Sequence, residues 1–104
     1  MSDAPDSGGI GDMAGPVLRG GEIAQAVIEA VHTDNPDKEI VISDHTTYVR
    51  VEAEGGCIIR RDTMEEVLGR PFRMPELEVS LTAFSGQIET NDDYTRFYLK
   101  KDRV

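Results

Sequence analysis

The sequence has few of the residues that usually carry catalysis, base stacking or membrane insertion. It contains a single cysteine, Cys57, no tryptophan, and only three tyrosines and three phenylalanines. One cysteine cannot form an internal disulfide, which is typical of a cytoplasmic protein. So few aromatic rings offer no stacking platform for bases or sugars. No apolar run approaches the roughly 20 residues of a transmembrane helix. No basic start leads into an apolar stretch, so we expect no secretory signal.

Basic residues are also scarce, since 11 Lys and Arg stand against 20 Asp and Glu, for a formal net charge of −9. Such a surface repels phosphate backbones and anionic membranes, so neither nucleic acid nor a membrane is an expected partner. A basic protein surface would be attracted to the field of this chain. Solubility alone also explains an acidic surface, so charge by itself leaves both interpretations open.

The length of 104 residues predicts one compact domain. Residues 1–14 are rich in Gly, Ser, Asp and Pro and show no apolar period, so they are predicted to form a disordered tail. The folded domain is then expected to span 15–104. The tail is either a free terminus or an arm that becomes ordered on a partner.

The first helix is predicted from the spacing of its apolar residues. Ile23, Val27 and Val31 recur at intervals of four, and Asn35 before Pro36 ends the pattern. A second helix is predicted from Asp62, which would cap it with Glu65 three residues later, to Gly69. Pro75 is expected to open a short helical turn at 74–77.

Alternating and apolar stretches between these helices predict strands. Residues 47–54 alternate most clearly, with Val49, Val51 and Ala53 on the buried side. Residues 78–84 alternate too, although the spacing there also fits a helix. The remaining predicted strands are a short edge strand at 16–19 and strands at 39–43, 57–61 and 94–100. The order predicts an α+β fold with two βαββ-like halves in one domain.

Candidate catalytic groups are few and incomplete. Glu29 and His32 form a Glu-x-x-His on the first helix, but a diiron bundle needs two such motifs on four helices. Cys57 lies in a predicted strand without a second cysteine nearby, which favours a buried apolar role over a nucleophilic one. The chain is therefore predicted to be a binding protein and not an enzyme.

An ordered series of short motifs resembles the effector, or regulatory, component of bacterial multicomponent diiron monooxygenases. Each motif is unspecific alone, whereas the series in this order is specific and covers most of the chain after residue 14. The motifs are Gly15-Pro16-Val17-Leu18-Arg19, Asp34-Asn35-Pro36, Lys38-Glu39, Tyr48-Val49-Arg50, Ala53-Glu54-Gly55, Leu68-Gly69-Arg70-Pro71-Phe72, Glu76-Leu77-Glu78, Phe84, Gly86-Gln87-Ile88 and Arg96-Phe97-Tyr98. The resemblance is greatest to the toluene 4-monooxygenase type, with the phenol, alkene and methane monooxygenase types more distant.

This resemblance implies a protein without metal, flavin or haem that acts on a larger enzyme. Effectors of this kind dock on the hydroxylase, mainly its large subunit, over the helices that hold the diiron ligands. Docking raises turnover, coupling and regioselectivity in the oxidation of aromatic hydrocarbons or alkenes. The ferredoxin or reductase that delivers electrons is expected to share the docking face.

Candidate contact residues are those that the predicted elements place on the outside. Arg70 with Phe72 follows a helix end, and an Arg beside an aromatic ring suits an interface hot spot, although Phe72 would equally fit the core. A contact role competes with helix ending at Asn35 and with loop shape at Gln87. The full set of candidates is Asn35, Tyr48, Arg50, Glu52, Arg70, Phe72 and Gln87.

Two other functions compete with the effector interpretation. A small ligand-binding regulatory domain of βαββ type would need a concave apolar pocket with a few converging polar groups. A small hydrolase or isomerase would need a catalytic constellation and would turn over substrate unaided.

Overall fold

Seven strands and three helices make up the part of the chain that the structure, a computed structural model, describes: residues 12–100. The predicted tail lies mostly in residues 1–11, outside that part. The elements are β1 (Met13–Arg19), α1 (Glu22–Asp34), β2 (Ile40–Asp44), β3 (Tyr48–Glu54), β4 (Gly56–Arg60), α2 (Arg61–Leu68), α3 (Met74–Ser80), β5 (Leu81–Ser85), β6 (Gln87–Thr90) and β7 (Tyr94–Tyr98).

The strands form two antiparallel sheets, and the α+β prediction is confirmed. The four-stranded sheet has the order β2-β3-β1-β5, and the three-stranded sheet has the order β4-β7-β6. The first half of the chain follows the predicted β-α-β-β order. The second half of the chain contributes β5 to the four-stranded sheet, whose other strands all come from the first half. No helix within 12–100 is both long and apolar enough to cross a membrane.

Strand β1 lies inside its sheet, so the prediction of an edge strand is wrong. It begins at Met13 and pairs with β3 on one side and with β5 on the other. Pro16 has no N–H to donate; it lies opposite Phe84 of β5, one residue before the pairing with β5 becomes irregular between Val17 and Leu18. At Gly15 an added Cβ would lie 2.1 Å from the carbonyl oxygen of Val51, so only glycine permits this approach to β3.

Much of the core consists of the apolar residues that the sequence periods of α1 and β3 predicted to be buried. In α1 the stripe buries Val27 and Val31 fully, and three alanines pack beside them. In β3 the predicted alternation is confirmed, because Val49, Val51 and Ala53 have no exposed surface. Phe97 of β7, in the second sheet, packs into the same core.

The second and third helices differ from their predictions in detail. Asp62 does not cap α2, since the carboxylate of Asp34 from the end of α1 accepts the N–H of Arg60 instead. Gly69 does end α2, in the left-handed conformation with φ 71°. Helix α3 continues to Ser80, so the predicted strand at 78–84 is helical in its first three residues and extended only from Leu81.

Candidate docking surface

One side of strand β3 faces away from the core and carries three of the predicted contact residues. Tyr48, Arg50 and Glu52 alternate with the buried valines, so all three lie on the same side of the four-stranded sheet. Tyr48 and Arg50 are exposed and Glu52 is half-buried. The structure therefore brings together the three residues that the sequence placed on one face.

Residues directly opposite on neighbouring antiparallel strands share a face, and this rule extends the surface across three strands. Arg19 of β1 lies opposite Tyr48, and Val17 of β1 lies opposite Arg50. Val41 of β2 lies opposite Glu52 and is 45% exposed. We call the set Val17, Arg19, Val41, Tyr48, Arg50 and Glu52 the outer sheet face.

The aromatic ring at the end of the outer sheet face is held by the turn before β3. The rings of His45 and Tyr48 stack with centroids 4.6 Å apart and planes inclined by 19°. The turn has φ 71° at Thr46, and Oδ1 of Asp44 accepts the N–H of Thr46 over 3.0 Å. Oδ2 of Asp44 accepts a hydrogen bond from Gln25 of α1 over 3.1 Å.

These hydrogen bonds stabilise the charged form of the turn carboxylate. The N–H of Thr46 and, to a lesser extent, the amide of Gln25 hold the pKa of Asp44 below its ordinary value. The turn thus carries a fixed negative charge at neutral pH, beside the His45–Tyr48 stack.

Two arginines on this face are not engaged inside the fold. Within residues 12–100, the side chains of Arg19 and Arg50 form neither a hydrogen bond nor an ion pair. Arg50 was a predicted contact residue, whereas Arg19 was missed. The alternation of Val17 and Arg19 at the end of a predicted strand could have indicated that both lie on one face. The sequence does not give the register that places Arg19 opposite Tyr48.

Arg70, another predicted contact residue, connects two helices. Its Nη2 donates to Oε1 of Glu22 in α1 over 3.2 Å, and its Nη1 contacts Oε1 of Glu76 in α3 over 3.4 Å. The hydrogen bond to Glu22 is the main reason why the pKa of Arg70 is raised. The side chain is half-exposed but is already bound within the chain.

Two predicted contact residues are buried and offer no surface to a partner. Phe72 is 1% exposed, which agrees with the core alternative, and its N–H donates to Oε2 of Glu65 over 2.9 Å. Asn35 is 8% exposed because its amide bonds the backbone of Ile58 on the neighbouring strand. Gln87 is exposed, but it begins β6 in the other sheet and lies apart from the outer sheet face.

The three residues weighed as catalytic candidates are Glu29, His32 and Cys57, and none of them lies in a catalytic arrangement within residues 12–100. Glu29 and His32 lie on the exposed side of α1, and Nδ1 of His32 is 2.8 Å from the carbonyl oxygen of Ile28. Burial raises the pKa of the Cys57 thiol to about 12, so this group is protonated at neutral pH and unsuited to nucleophilic attack. In the stretch 12–100 no three His, Cys, Asp or Glu side chains converge as metal ligands would.

A groove beside α3 is the wrong kind of site for a small apolar ligand. It has a volume of about 470 Å³, and charged side chains of Arg61, Glu65, Arg73 and Asp92 contribute to its wall. Ligand pockets are usually lined mainly by apolar groups. The ligand-binding alternative gains no support from this groove.

Comparisons with known proteins match nearly the whole described part of the chain. The model of the MmoB/DmpM family matches residues 12–98. The effector subunit of the alkene monooxygenase system of Xanthobacter autotrophicus is 37% identical over 89 residues, which cover 86% of this chain and 88% of that protein. The phenol 2-monooxygenase stimulatory component DmpM of Pseudomonas sp. is 39% identical over 77 residues, covering 74% and 81%.

Solved structures show the same fold. A chain in the structure of a phenol hydroxylase–regulatory protein complex superposes with a TM-score of 0.72 at 28% identity, covering 85% of this chain and 99% of that one. The regulatory protein B of soluble methane monooxygenase superposes with a TM-score of 0.61 at 19% identity, which shows a common fold, over 96% of this chain and 89% of that one. With the family match and two relatives above 35% identity, the chain belongs to the MmoB/DmpM family.

Proposed function

We propose that this chain is the effector component of a multicomponent diiron monooxygenase. In this proposal it binds the hydroxylase, mainly through the large subunit, and raises the turnover, coupling and regioselectivity of the complex. It holds no cofactor and performs no chemistry itself. The hydrocarbon oxidised is an aromatic compound or an alkene, as the toluene 4-monooxygenase resemblance implies, and the complex works in the cytoplasm.

The observation that carries this proposal is the agreement between family and named relatives. Two relatives that match across most of their length are named an effector subunit and a stimulatory component of monooxygenases. A third, seen in a complex with phenol hydroxylase, shares the fold over 99% of its chain. The protonated thiol of Cys57 and the solvent-facing Glu29 and His32 give no reason to assign a reaction to this chain instead.

A protein without chemistry of its own changes a reaction by binding one conformation of the enzyme more tightly than another. The shift in the hydroxylase is limited by the ratio of the two affinities, and about a 10⁴-fold ratio moves an equilibrium from 1:99 to 99:1. By linkage, substrate or a change in the iron oxidation state alters the affinity for the effector by the same factor. We propose further that the electron-transfer ferredoxin or reductase uses an overlapping face of the hydroxylase, so that the two partners alternate.

Reconstitution tests the proposal directly. The hydroxylase of the proposed monooxygenase system is combined with its reductase and ferredoxin, with and without this chain, and product formed per NADH is measured. We expect higher turnover and a product-to-NADH ratio closer to one when the chain is present, and no product from the chain alone. Equal rates and equal coupling in its absence would refute the effector role.

A competition measurement tests the shared face. Hydroxylase is immobilised, the chain is bound, and ferredoxin is added in increasing amounts. Displacement of the chain by ferredoxin supports alternate binding at one face. Simultaneous binding with additive signals contradicts the shared face and leaves the effector role in place.

A further inference from the structure

The outer sheet face carries two arginines, Arg19 and Arg50, neither of which forms an ion pair within residues 12–100. Building on the proposed function, we infer that this face is the docking surface, and that Arg19 and Arg50 receive carboxylates of an acidic surface on the hydroxylase. The comparisons name the kind of partner, and the side of this chain that meets it follows here from register, exposure and charge.

The two arginines are close neighbours in the sheet. Arg19 lies opposite Tyr48, and Arg50 is two residues further along the same strand as Tyr48, so the arginines are diagonal neighbours on adjacent strands. Such positions are about 7–8 Å apart. Because both side chains extend from the same face at neighbouring positions, their like charges repel each other, and a carboxylate bound between them would offset that repulsion.

Four of the seven arginines in residues 12–100 form no ion pair, and of these Arg19 and Arg50 are the two that lie side by side on one sheet face; the others are Arg60 and Arg73. Arg61 pairs with Asp62, Arg70 with Glu22 and Arg96 with Glu89, at 3.1–3.4 Å. Carboxylates are therefore close to three of the other five arginines of the described part. Glu52 lies on the outer sheet face itself but forms no ion pair with any residue in 12–100.

The surroundings of the arginine pair have the composition of an interface hot spot. Arg and Tyr are the residues enriched at such positions, within apolar surroundings that exclude water. Val17, opposite Arg50 and two residues before Arg19, is 9% exposed, and Val41 and Tyr48 leave 45% and 37% of their surface exposed on the same face. The stack on His45 restrains Tyr48 before binding, which lowers the entropic cost of docking.

The sign of the partner surface follows from these charges. Arginine binds carboxylate through two parallel hydrogen bonds, and such pairs are strongest where the interface excludes water. A basic partner would be attracted by the net charge of the chain but repelled at this face. The rest of the chain is acidic and would be repelled by an acidic patch on the hydroxylase. The chain therefore approaches that patch with the outer sheet face.

Binding of single-residue variants to the hydroxylase of the reconstituted system tests the inference. Arg19→Gln and Arg50→Gln each remove one charge and keep a long polar side chain. Arg60→Gln is the matched control, because Arg60 is exposed, has no side-chain partner in 12–100 and lies on the other sheet. Thermal unfolding of all three variants verifies that each remains folded, and biolayer interferometry gives the dissociation constant and both rate constants.

We expect Arg19→Gln and Arg50→Gln to weaken binding by about tenfold each, mainly through faster dissociation. Arg60→Gln should stay within about twofold of the unaltered chain, although it changes the net charge equally. Glu52→Gln should leave binding equal or tighter, because it removes a carboxylate from a face that meets an acidic surface.

The outcomes separate this inference from the proposed function. If the unaltered chain binds and stimulates the hydroxylase but the two arginine variants behave like Arg60→Gln, the docking face is wrong and the effector role stands. Loss of binding in Glu52→Gln as large as in the arginine variants would also overturn the acidic partner surface. If the unaltered chain neither binds nor stimulates, both the inference and the proposed function fail.

Discussion

The side-chain amide of Asn35 pairs with both backbone groups of Ile58, as a neighbouring strand would. Its Oδ1 accepts the N–H of Ile58 over 2.9 Å, and its Nδ2 donates to the carbonyl oxygen of Ile58 over 2.8 Å. The same Nδ2 also donates to the carbonyl oxygen of Val31, the residue at which the last turn of α1 closes. One buried amide therefore joins the end of α1 to β4.

Replacing this amide should destabilise the fold without touching the outer sheet face. Asn35→Ala leaves two partly buried backbone groups of Ile58 without partners, which costs about 2–4 kcal/mol of unfolding free energy. Asn35→Asp keeps the acceptor but sets a carboxylate against two carbonyl oxygens, so it should be at least as destabilising at neutral pH. Urea unfolding followed by circular dichroism measures both, with the exposed Asp37→Ala as a control expected within about 0.5 kcal/mol. Equal midpoints for all variants would contradict this role of the amide.

The start of α2 offers a second comparison, between the cap expected from the sequence and the one in the structure. Oδ2 of Asp34 accepts the N–H of Arg60 over 2.8 Å, and Oδ1 accepts the hydroxyl of Thr63 over 2.6 Å. Within residues 12–100 the carboxylate of Asp62 pairs only with the neighbouring Arg61, and its side chain is 85% exposed. Asp34→Ala should therefore cost about 1–2 kcal/mol of unfolding free energy, as the loss of an N-cap does, and Asp62→Ala should cost less than about 0.5 kcal/mol.

A double-mutant cycle makes the Asp34 prediction sharper. Asp34→Ala, Thr63→Ala and the double variant are compared by urea unfolding. Because the two side chains bond each other, their effects should fall short of additivity by about 0.5–1 kcal/mol. Strict additivity would mean that the 2.6 Å contact contributes nothing to stability.

These two sites show why local pattern predicted some features and missed others. Helix α1 and strand β3 were predicted because their apolar periods are long and agree with the buried residues. The cap on α2 was missed because Asp34 is 26 residues from Arg60 in sequence, and a capping pattern considers only the next turn. Val79 alternates with Leu81 like a strand residue but is 71% exposed on α3, since the helix opened by Pro75 continues past the predicted turn.

Part of the candidate docking surface could also be predicted from the sequence. Alternation in β3 was enough to set Tyr48, Arg50 and Glu52 on one side. The burial of Phe72 and Asn35 depends on tertiary packing, which cannot be predicted from the spacing of apolar residues along the sequence. Arg19 joins the surface only through the register between β1 and β3, which depends on the whole sheet.

Glycine positions at close backbone contacts give a third prediction. At Gly56 φ is 99°, and an added Cβ would lie 2.1 Å from the carbonyl oxygen of Phe97 in the paired strand. Gly69 has a similar left-handed φ of 71° but open space around the added carbon. Gly69→Ala should cost about 1–2 kcal/mol through backbone strain alone, whereas Gly56→Ala adds a clash and should cost about 3 kcal/mol or more.

The contrast between the two glycines is measured by thermal unfolding of both variants at equal concentration. A larger fall in Tm for Gly56→Ala than for Gly69→Ala is expected, since only the former must move β7. If the two variants lose the same stability, the close approach of β4 to β7 does not limit the side chain at position 56.

The charge of Asp44 gives a pH-dependent prediction at the turn that supports Tyr48. The N–H of Thr46 and the amide of Gln25 lower the pKa of Asp44 below its ordinary value of 3.8. A carboxyl with a lowered folded-state pKa stabilises the fold above its unfolded-state pKa, and this contribution is lost as the pH falls through the lower, folded-state value. Carboxyl-detected NMR titration should therefore show Asp44 ionising at lower pH than a free aspartate.

Gln25→Ala removes the smaller of the two stabilising hydrogen bonds and should raise the pKa of Asp44 part of the way towards 3.8. The bond from Thr46 remains, so the shift should be incomplete, and the loss of stability between pH 4 and more acidic conditions should become smaller. Gln87→Ala, an exposed glutamine in the other sheet, is the control and should leave the titration of Asp44 unchanged. A pKa of Asp44 that is the same in Gln25→Ala as in the unaltered chain would show that the 3.1 Å contact from α1 does not stabilise the carboxylate, and that α1 does not restrain the turn before β3.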